Sequence, residues 1–304
     1  MSDVAETTID LASLKSHWAP ETVETTSGTS AWSVAAFSAL LDLDPIAGPG
    51  DPLPALWHWF GFLDCTRHDE LGQDGHPAAG PFMPPIPNRR RMLVGGRLTV
   101  REPMRVDETL QRRSSLTRCE AKAGHSGEML LVTVHHEYLR EGYAVAIEEQ
   151  DIVYRCQPPG QVRGIEMPHT DTNAEPPAGA LVVTPDEATL FRFSALTYNT
   201  HRIHYDQPYA TGVEGYPSLV VHGPLLALLL LEMPRRQRPE PVTRFEFRLR
   251  RPVFVGQPLV VQATELARTE DDLGEGEASR LHLDAGVPGL PTSVSGTATL
   301  DTSH

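Results

Sequence analysis

In the stretch Phe193-Ser-Ala-Leu-Thr-Tyr-Asn-Thr-His-Arg-Ile-His-Tyr-Asp-Gln-Pro-Tyr-Ala210, Asn199, His201, His204 and Asp206 fall within eight positions. Histidine titrates close to neutral pH, so His204 and His201 are candidates for moving a proton between water and a substrate. Asn199 cannot be a base, but its amide offers a donor and an acceptor that can hold a water. Further on comes Leu219-Val-Val-His-Gly-Pro-Leu-Leu-Ala-Leu-Leu-Leu-Leu231, which reads as a buried helix opened by His222, Gly223 and Pro224. Proline suits the first helical turn, where its missing N–H would be an orphan anyway. A helix start carries unpaired N–H groups and the positive dipole end, so a developing oxyanion could be held at Gly223. Glycine there also allows close approach of a substrate to the backbone.

Each of these residues has a plainer reading. A histidine beside a helix start, such as His222, is commonly a structural hydrogen-bonding residue, and Asp206 reads as a local partner that orients a histidine or the loop. Arg89, Arg90 and Arg91 are adjacent, as on a solvated face. Alternatively one or two of them reach the phosphates of a ligand, for which guanidinium geometry is suited. His135 and His136 lie in a strand and point to opposite faces, which supports no metal site. Trp57 and Trp59 belong to the core or to a pocket wall.

The elements that must position these residues follow from pattern. The 304 residues allow two ordinary domains or one large one, and the 40% apolar content is enough for a core. A short helix is predicted at Leu11–Trp18. Ser30 caps a second from about Ala31 to Leu41, with Trp32, Ala35, Ala36, Ala39 and Leu40 at helical spacing. Residues 45–90 are dense in Pro and Gly. From Met92 to Tyr154 the pattern turns to strands, with a turn at Gly124–Gly127. Residues 157–180, with five prolines and three glycines, form the clearest linker, which divides the chain into units of 1–160 and 175–304. Strands are then predicted at Thr243–Arg250, Pro258–Thr264, Ser279–Ala285 and Thr292–Leu300. Val100-Arg-Glu-Pro-Met-Arg-Val-Asp-Glu-Thr-Leu110 aligns with Leu249-Arg-Arg-Pro-Val-Phe-Val-Gly-Gln-Pro-Leu259 at an offset of 252 − 103 = 149 residues. Each half therefore reads as a long apolar helix wrapped by an antiparallel sheet, an α+β plan used twice. No Asn-x-x-x-x-His phrase occurs in residues 45–60, so only the second half is expected to keep a full site.

The net charge of −14 argues against a general nucleic-acid surface. Cys65, Cys119 and Cys156 are far apart with no CxxC, which indicates neither a disulfide framework nor a zinc site. The leucine run is too short to span a membrane, and Met-Ser-Asp-Val-Ala-Glu lacks the features of a signal peptide. The expectation is a soluble, cytoplasmic protein with no nucleic-acid or membrane partner.

The phrases Ser-x-x-x-x-Asn-x-His-Arg-Ile-His-Tyr-Asp-x-x-Tyr-Ala at 194–210 and His-Gly at 222–223 resemble the double-hotdog hydratases and dehydratases of acyl thioesters, the MaoC-like group. Val-Val-His-Gly-Pro-Leu, Gly50-Asp-Pro-Leu-Pro, Leu56-Trp-His-Trp, Gly75-His-Pro, Gly95-Gly-Arg-Leu and Glu149-Gln-Asp-Ile-Val-Tyr154 are similar to its type 2 hydroxyacyl-thioester dehydratase subgroup, which includes itaconyl-CoA and mesaconyl-CoA hydratases. The resemblance covers nearly the whole chain. It implies a double hotdog, two tandem units each with a long central helix in an antiparallel sheet, the first degenerate and supporting the substrate. It also implies His204 as the catalytic histidine, Gly223 as the oxyanion glycine, and Asn199 in place of the usual catalytic aspartate. His201 and Arg202 replace the usual Asn-Pro.

The activity implied is hydration of an α,β-unsaturated CoA thioester, itaconyl-CoA or mesaconyl-C4-CoA giving citramalyl-CoA, as in itaconate degradation. Tyr198, His201, Arg202 and His222 would line the substrate. Arg202 or one of Arg89, Arg90 and Arg91 would hold a free carboxylate, and spacing does not choose among them. A (3R)-hydroxyacyl dehydratase of fatty-acid type and a non-catalytic acyl-CoA-binding module are the alternatives. No cofactor and no metal are expected, the small-molecule partner is the thioester itself, and the resemblance allows a homodimer.

Overall fold

The computed structural model describes residues 11–124, 127–156, 164–171, 174–267 and 278–302. The tip of the turn expected at Gly124–Gly127 and parts of the expected linker lie outside them. Ten antiparallel strands form one sheet: β1 (Val23–Ser27), β2 (Arg89–Val100), β3 (Leu110–Gly124), β4 (Gly127–Arg140), β5 (Tyr143–Cys156), β6 (Leu181–Val183), β7 (Val242–Leu249), β8 (Leu259–Glu265), β9 (Ala278–Gly286) and β10 (Val294–Asp301). Their spatial order is β1-β3-β4-β5-β2-β7-β10-β9-β8-β6. From each edge inward the two halves follow the same plan, and they join where β2 meets β7, with Gly96 opposite Phe247 and Leu98 opposite Phe245.

The 149-residue offset is a structural repeat. Asp107 (φ +62°) and Gly256 (φ +79°) occupy the same left-handed turn position. Leu110 and Leu259 each open a strand. The N–H groups of Arg101 and Arg250 each donate at 2.8 Å to a carbonyl across the sheet, of Val145 and Ser293. Leu53 N–H donates to Met104 O at 2.7 Å as Val221 N–H donates to Val253 O at 2.8 Å. That match places Pro54-Ala55 where the second half has His222-Gly223.

The second half builds a 15-residue helix there, α5 (Gly223–Gln237), buried from Leu225 to Pro234. A helix apolar on every side must lie inside the fold, and α5 packs chiefly on β8, β9 and β10. The first half departs from this plan. Its counterpart is a single 3₁₀ turn, Trp57–Phe60, with no side-chain cap, because the Pro-Gly density of the segment removes backbone donors and favours turns.

The first-half helices form as the sequence predicts: α1 (Leu11–His17) and α2 (Ala31–Leu40), whose cap Ser30 accepts from the Ser33 N–H. The buried side of α2 is a different one, carried by Ser33, Val34, Phe37 and Ser38, and Trp32 is 72% exposed. Phe37 decides the orientation, since its ring meets Trp57 at 4.8 Å and Phe60 at 4.5 Å.

Beneath that turn lies a buried carboxylate. Glu148 accepts from His58 Nε2 (2.8 Å), Trp59 Nε1 (2.7 Å), Tyr138 Oη (2.8 Å) and Gln150 Nε2 (2.7 Å). His58 supplies the opposite charge, and these bonds hold the carboxyl well below the usual range against the opposing effect of burial. His136, on the buried face, bonds Ser114 at 2.8 Å, whereas His135 on the other face lies near Glu149.

Candidate functional site

The loop bearing the histidines is fixed by short-range bonds before any tertiary contact. Helix α3 (Glu187–Thr197) starts at Asp186, which accepts from Thr189 N–H, and ends at Tyr198 with φ +52°. The Asn199 side chain then accepts from the His201 N–H at 3.0 Å, the local turn that asparagine favours. A 3₁₀ turn, Arg202–His204, follows. Asp206 caps α4 (Gln207–Gly212) and pairs with Arg202 at 2.7 Å, so it is the orienting residue its position implied.

Two bonds tie this loop to the segment that leads into α5. Val220 N–H donates to Ile203 O at 3.0 Å, and His204 Nδ1 lies 2.7 Å from Val220 O. A carbonyl can only accept, so Nδ1 carries the proton and Nε2 keeps its lone pair. Nε2 is therefore the nitrogen of His204 that can take up a proton. The ring of His222 stacks on it at 3.6 Å between centroids and 20° between planes, and its Nε2 is 2.8 Å from Ser194 Oγ. His201 stands edge-on to His204 at 5.4 Å. At the start of α5 the Gly223 N–H has no hydrogen-bond partner among the described residues. A side chain there would put its Cβ 2.6 Å from Leu249 Cδ1.

The first half adds a fourth histidine. His76 lies on His201 with ring centroids 4.1 Å apart, and Asp74 holds His76 through the ring (3.1 Å) and the backbone N–H (3.0 Å). Between them Gly75 takes φ +87°, and a Cβ there would lie 1.9 Å from Thr200 O. Thr200 Oγ1 donates to Gly75 O at 2.6 Å and Arg202 N–H to Asp74 O at 2.8 Å. The two loops are stitched backbone to backbone, and only glycine permits the approach. Sequence reasoning gave no role to Asp74, His76 or Ser194. An Asp-Gly-His phrase in a Pro- and Gly-rich segment was the available signal for the first two. Asp74, His76 and His201 present ligand atoms within 4.8 Å of one another, though the nearby guanidinium charge of Arg91 opposes a cation there.

The remaining site residues from the sequence are spread more widely. Tyr198 is 56% exposed. Arg89 donates to the carbonyls of Pro84, Ala78 and Pro77. Arg90 pairs with Glu214 and donates to its carbonyl at 2.9 Å. Arg202, besides Asp206, donates to Gln73 O at 3.0 Å and lies 4.0 Å over the Tyr209 ring. The Arg91 side chain has no hydrogen bond or ion pair among the described residues, and its Nε is buried without a partner.

Burial lowers the proton affinity of all four histidines. It pushes His204 down to about 4, with the Val220 bond acting against it. His201 and His222 fall well below the ordinary value, and His76 falls below it despite Asp74. The unfolded chain, with histidines near ~6.5, therefore binds more protons than the folded one between about pH 4 and 6.5. Stability rises with pH across that window and is lost on acidification through it. We expect the thermal midpoint to level off above about pH 7 and to fall steadily below about 6.5. A midpoint that holds or rises from pH 6.5 to 5 would contradict neutral buried histidines.

Known proteins resemble this chain in sequence and in fold. The sequence matches the family described as hydroxyacyl-thioester dehydratase type 2 over residues 56–255. It is 41% identical to the mesaconyl-C(4)-CoA hydratase of Chloroflexus aurantiacus over 271 residues, 87% of this chain and 91% of that protein. It is 29% identical to the mitochondrial hydroxyacyl-thioester dehydratase type 2 of Schizosaccharomyces pombe over 235 residues, 69% of this chain and 77% of that one. Among solved structures a MaoC-like dehydratase superposes with a TM-score of 0.67 at 14% identity, covering 95% of this chain and 100% of its own. That likeness speaks for the fold, a double hotdog. Among the described residues no helix is long and apolar enough to cross a membrane.

Proposed function

The chain belongs to the hydroxyacyl-thioester dehydratase type 2 family, and from that premise we propose that this acyl-CoA hydratase acts on a half-thioester of a branched unsaturated dicarboxylic acid, mesaconyl-C4-CoA or itaconyl-CoA, giving citramalyl-CoA. The observation that carries the reading is His204, buried with its Nδ1 proton committed to Val220 O, next to the stretch that opens α5 with an unpaired Gly223 N–H.

With mesaconyl-C4-CoA, His204 Nε2 removes a proton from water as the oxygen bonds to the β carbon. The π electrons move to the thioester oxygen, where the Gly223 N–H and the helix dipole stabilise the enolate charge. The proton then passes from His204 to the α carbon. Asn199, whose Oδ1 is occupied by the His201 N–H, retains its amide donor to orient the water. In this reading the second unit supplies the chemistry and the first supports the substrate. The reaction needs no redox carrier and no metal.

The test is a panel of enoyl-CoA esters offered after EDTA treatment and dialysis, followed by loss of the conjugated absorbance. We expect mesaconyl-C4-CoA to be consumed faster than crotonyl-CoA or a long-chain 2-enoyl-CoA. Preference for the long chain would point to a fatty-acid dehydratase. Binding without consumption would point to a binding module, and activity restored by added metal would overturn the metal-free mechanism.

A further inference from the structure

Four arginines stand near the histidines, and three are already in use. Arg89 is spent on backbone carbonyls, Arg90 on Glu214, and Arg202 on Asp206, Gln73 O and the Tyr209 ring. Of the four, only the Arg91 side chain has neither counter-ion nor hydrogen bond among the described residues, and its Nε is shut away from water. Leaving a buried donor unmade is costly, and more so on a charged group.

The strand position of Arg91 says which groups it lies near. Arg89 and Arg91 are two apart on β2 and so share a face of the strand. Arg89 reaches the carbonyls of Pro77 and Ala78, directly after His76. Arg91 is the next residue inward on that face. Its charge adds to the effect of burial in lowering the proton affinity of both His76 and His201, in keeping with the strand face it shares with Arg89. The carboxylate of the cluster, Asp74, is taken by His76, and the histidines are neutral there. An unneutralised guanidinium facing neutral imidazoles is a receptor for an anion, and its fork geometry fits a carboxylate.

We propose that Arg91 is the specificity-determining residue that binds the second carboxylate of the substrate, with His76 and His201 as the walls of that subsite. The acyl groups selected are then half-thioesters of dicarboxylic acids whose free carboxylate is borne by the carbon that receives the hydroxyl. This rests on the hydratase reading of the same site. In such a substrate the carboxylate is one bond from the carbon that water attacks, so its anchor must lie close to the base. His201, a wall of the subsite, has its ring centroid 5.4 Å from that of His204. Asn199 fits as well, because an aspartate there would set a second anion beside the first.

The experiment separates binding from turnover. Dissociation constants are measured for succinyl-CoA and butyryl-CoA, saturated thioesters of like length that cannot be hydrated, on the wild type, Arg91→Met and Arg91→Lys. The wild type should prefer succinyl-CoA, by about 10²-fold, as for a desolvated charge pair. Arg91→Met should abolish the preference while butyryl-CoA binding stays within about threefold, which also shows that the variant is folded. Arg91→Lys should keep part of the preference. In parallel, kcat/KM for mesaconyl-C4-CoA should fall by about 10²–10³-fold in Arg91→Met and that for crotonyl-CoA should change little.

A wild type with no preference for succinyl-CoA, or a preference that survives Arg91→Met, overturns the assignment. A wild type that prefers succinyl-CoA but hydrates no enoyl thioester would leave Arg91 as the carboxylate anchor and remove the reaction. Hydration of mesaconyl-C4-CoA unchanged in Arg91→Met would do the reverse.

Discussion

His204→Ala lowers kcat for hydration by about 10²–10⁴-fold, the range expected when a general base is removed. Binding of the thioester changes far less, because the lost ring is a small part of the contact. The size of the effect follows from the site. His204 has its Nδ1 proton fixed on Val220 O, and burial holds it down to about 4, so at neutral pH it is the free base. The wild-type kcat/KM should therefore hold across neutral pH and decline only on the acid side, well below the ordinary histidine range. The stacked His222 cannot readily take over, since its Nε2 is committed to Ser194. Near wild-type kcat in His204→Ala would move the base to His201, 5.4 Å away between ring centroids.

Glu148→Ala destabilises the fold by about 3–5 kcal/mol, the usual result of removing one partner from a buried ion pair. Four donors converge on that carboxylate, from His58, Trp59, Tyr138 and Gln150, and Glu148 and Tyr138 are each 2% exposed. The alanine leaves these donors without an acceptor in a dry setting. The loss should appear as a lower urea midpoint with an unchanged m-value. It should reach the site only through stability, because the 3₁₀ turn held by Glu148 packs Phe60 on Phe193 of α3, the helix that leads into the histidine loop. Assayed well below its melting temperature, the variant should keep most of its kcat. A midpoint within about 0.5 kcal/mol of wild type, the range of ordinary surface changes, would mean that the cluster is not what fixes the turn.

The parts of this molecule legible in sequence are those whose signal is local. Strand alternation, the Ser30 cap, the Gly-Pro opening of α5 and the 149-residue repeat are each written within a dozen residues, and the structure has all of them. The buried side of α2 was not legible. Spacing favoured Trp32, but Phe37 meets Trp57 and Phe60 from a segment twenty residues on, and tertiary packing decides. The long central helix expected in the first half is not there among the described residues: a 3₁₀ turn, Trp57–Phe60, stands in its place, in a segment whose prolines remove backbone donors. At the site, the motif around His204 could be read directly, whereas Asp74 and His76 arrive from more than a hundred residues earlier through a glycine contact. The choice among the arginines was likewise closed to spacing, because it depends on which carbonyl or carboxylate each guanidinium has already met.

The central claim is that this chain adds water across the double bond of a CoA thioester through His204. Mass spectrometry of the product formed from mesaconyl-C4-CoA in heavy-oxygen water tests it most directly. The account predicts an intact thioester that has gained one water, with the heavy oxygen in the new hydroxyl, and almost none of it with His204→Ala. Free CoA with the heavy oxygen in a carboxylate, or an unchanged substrate with the wild type, would contradict it.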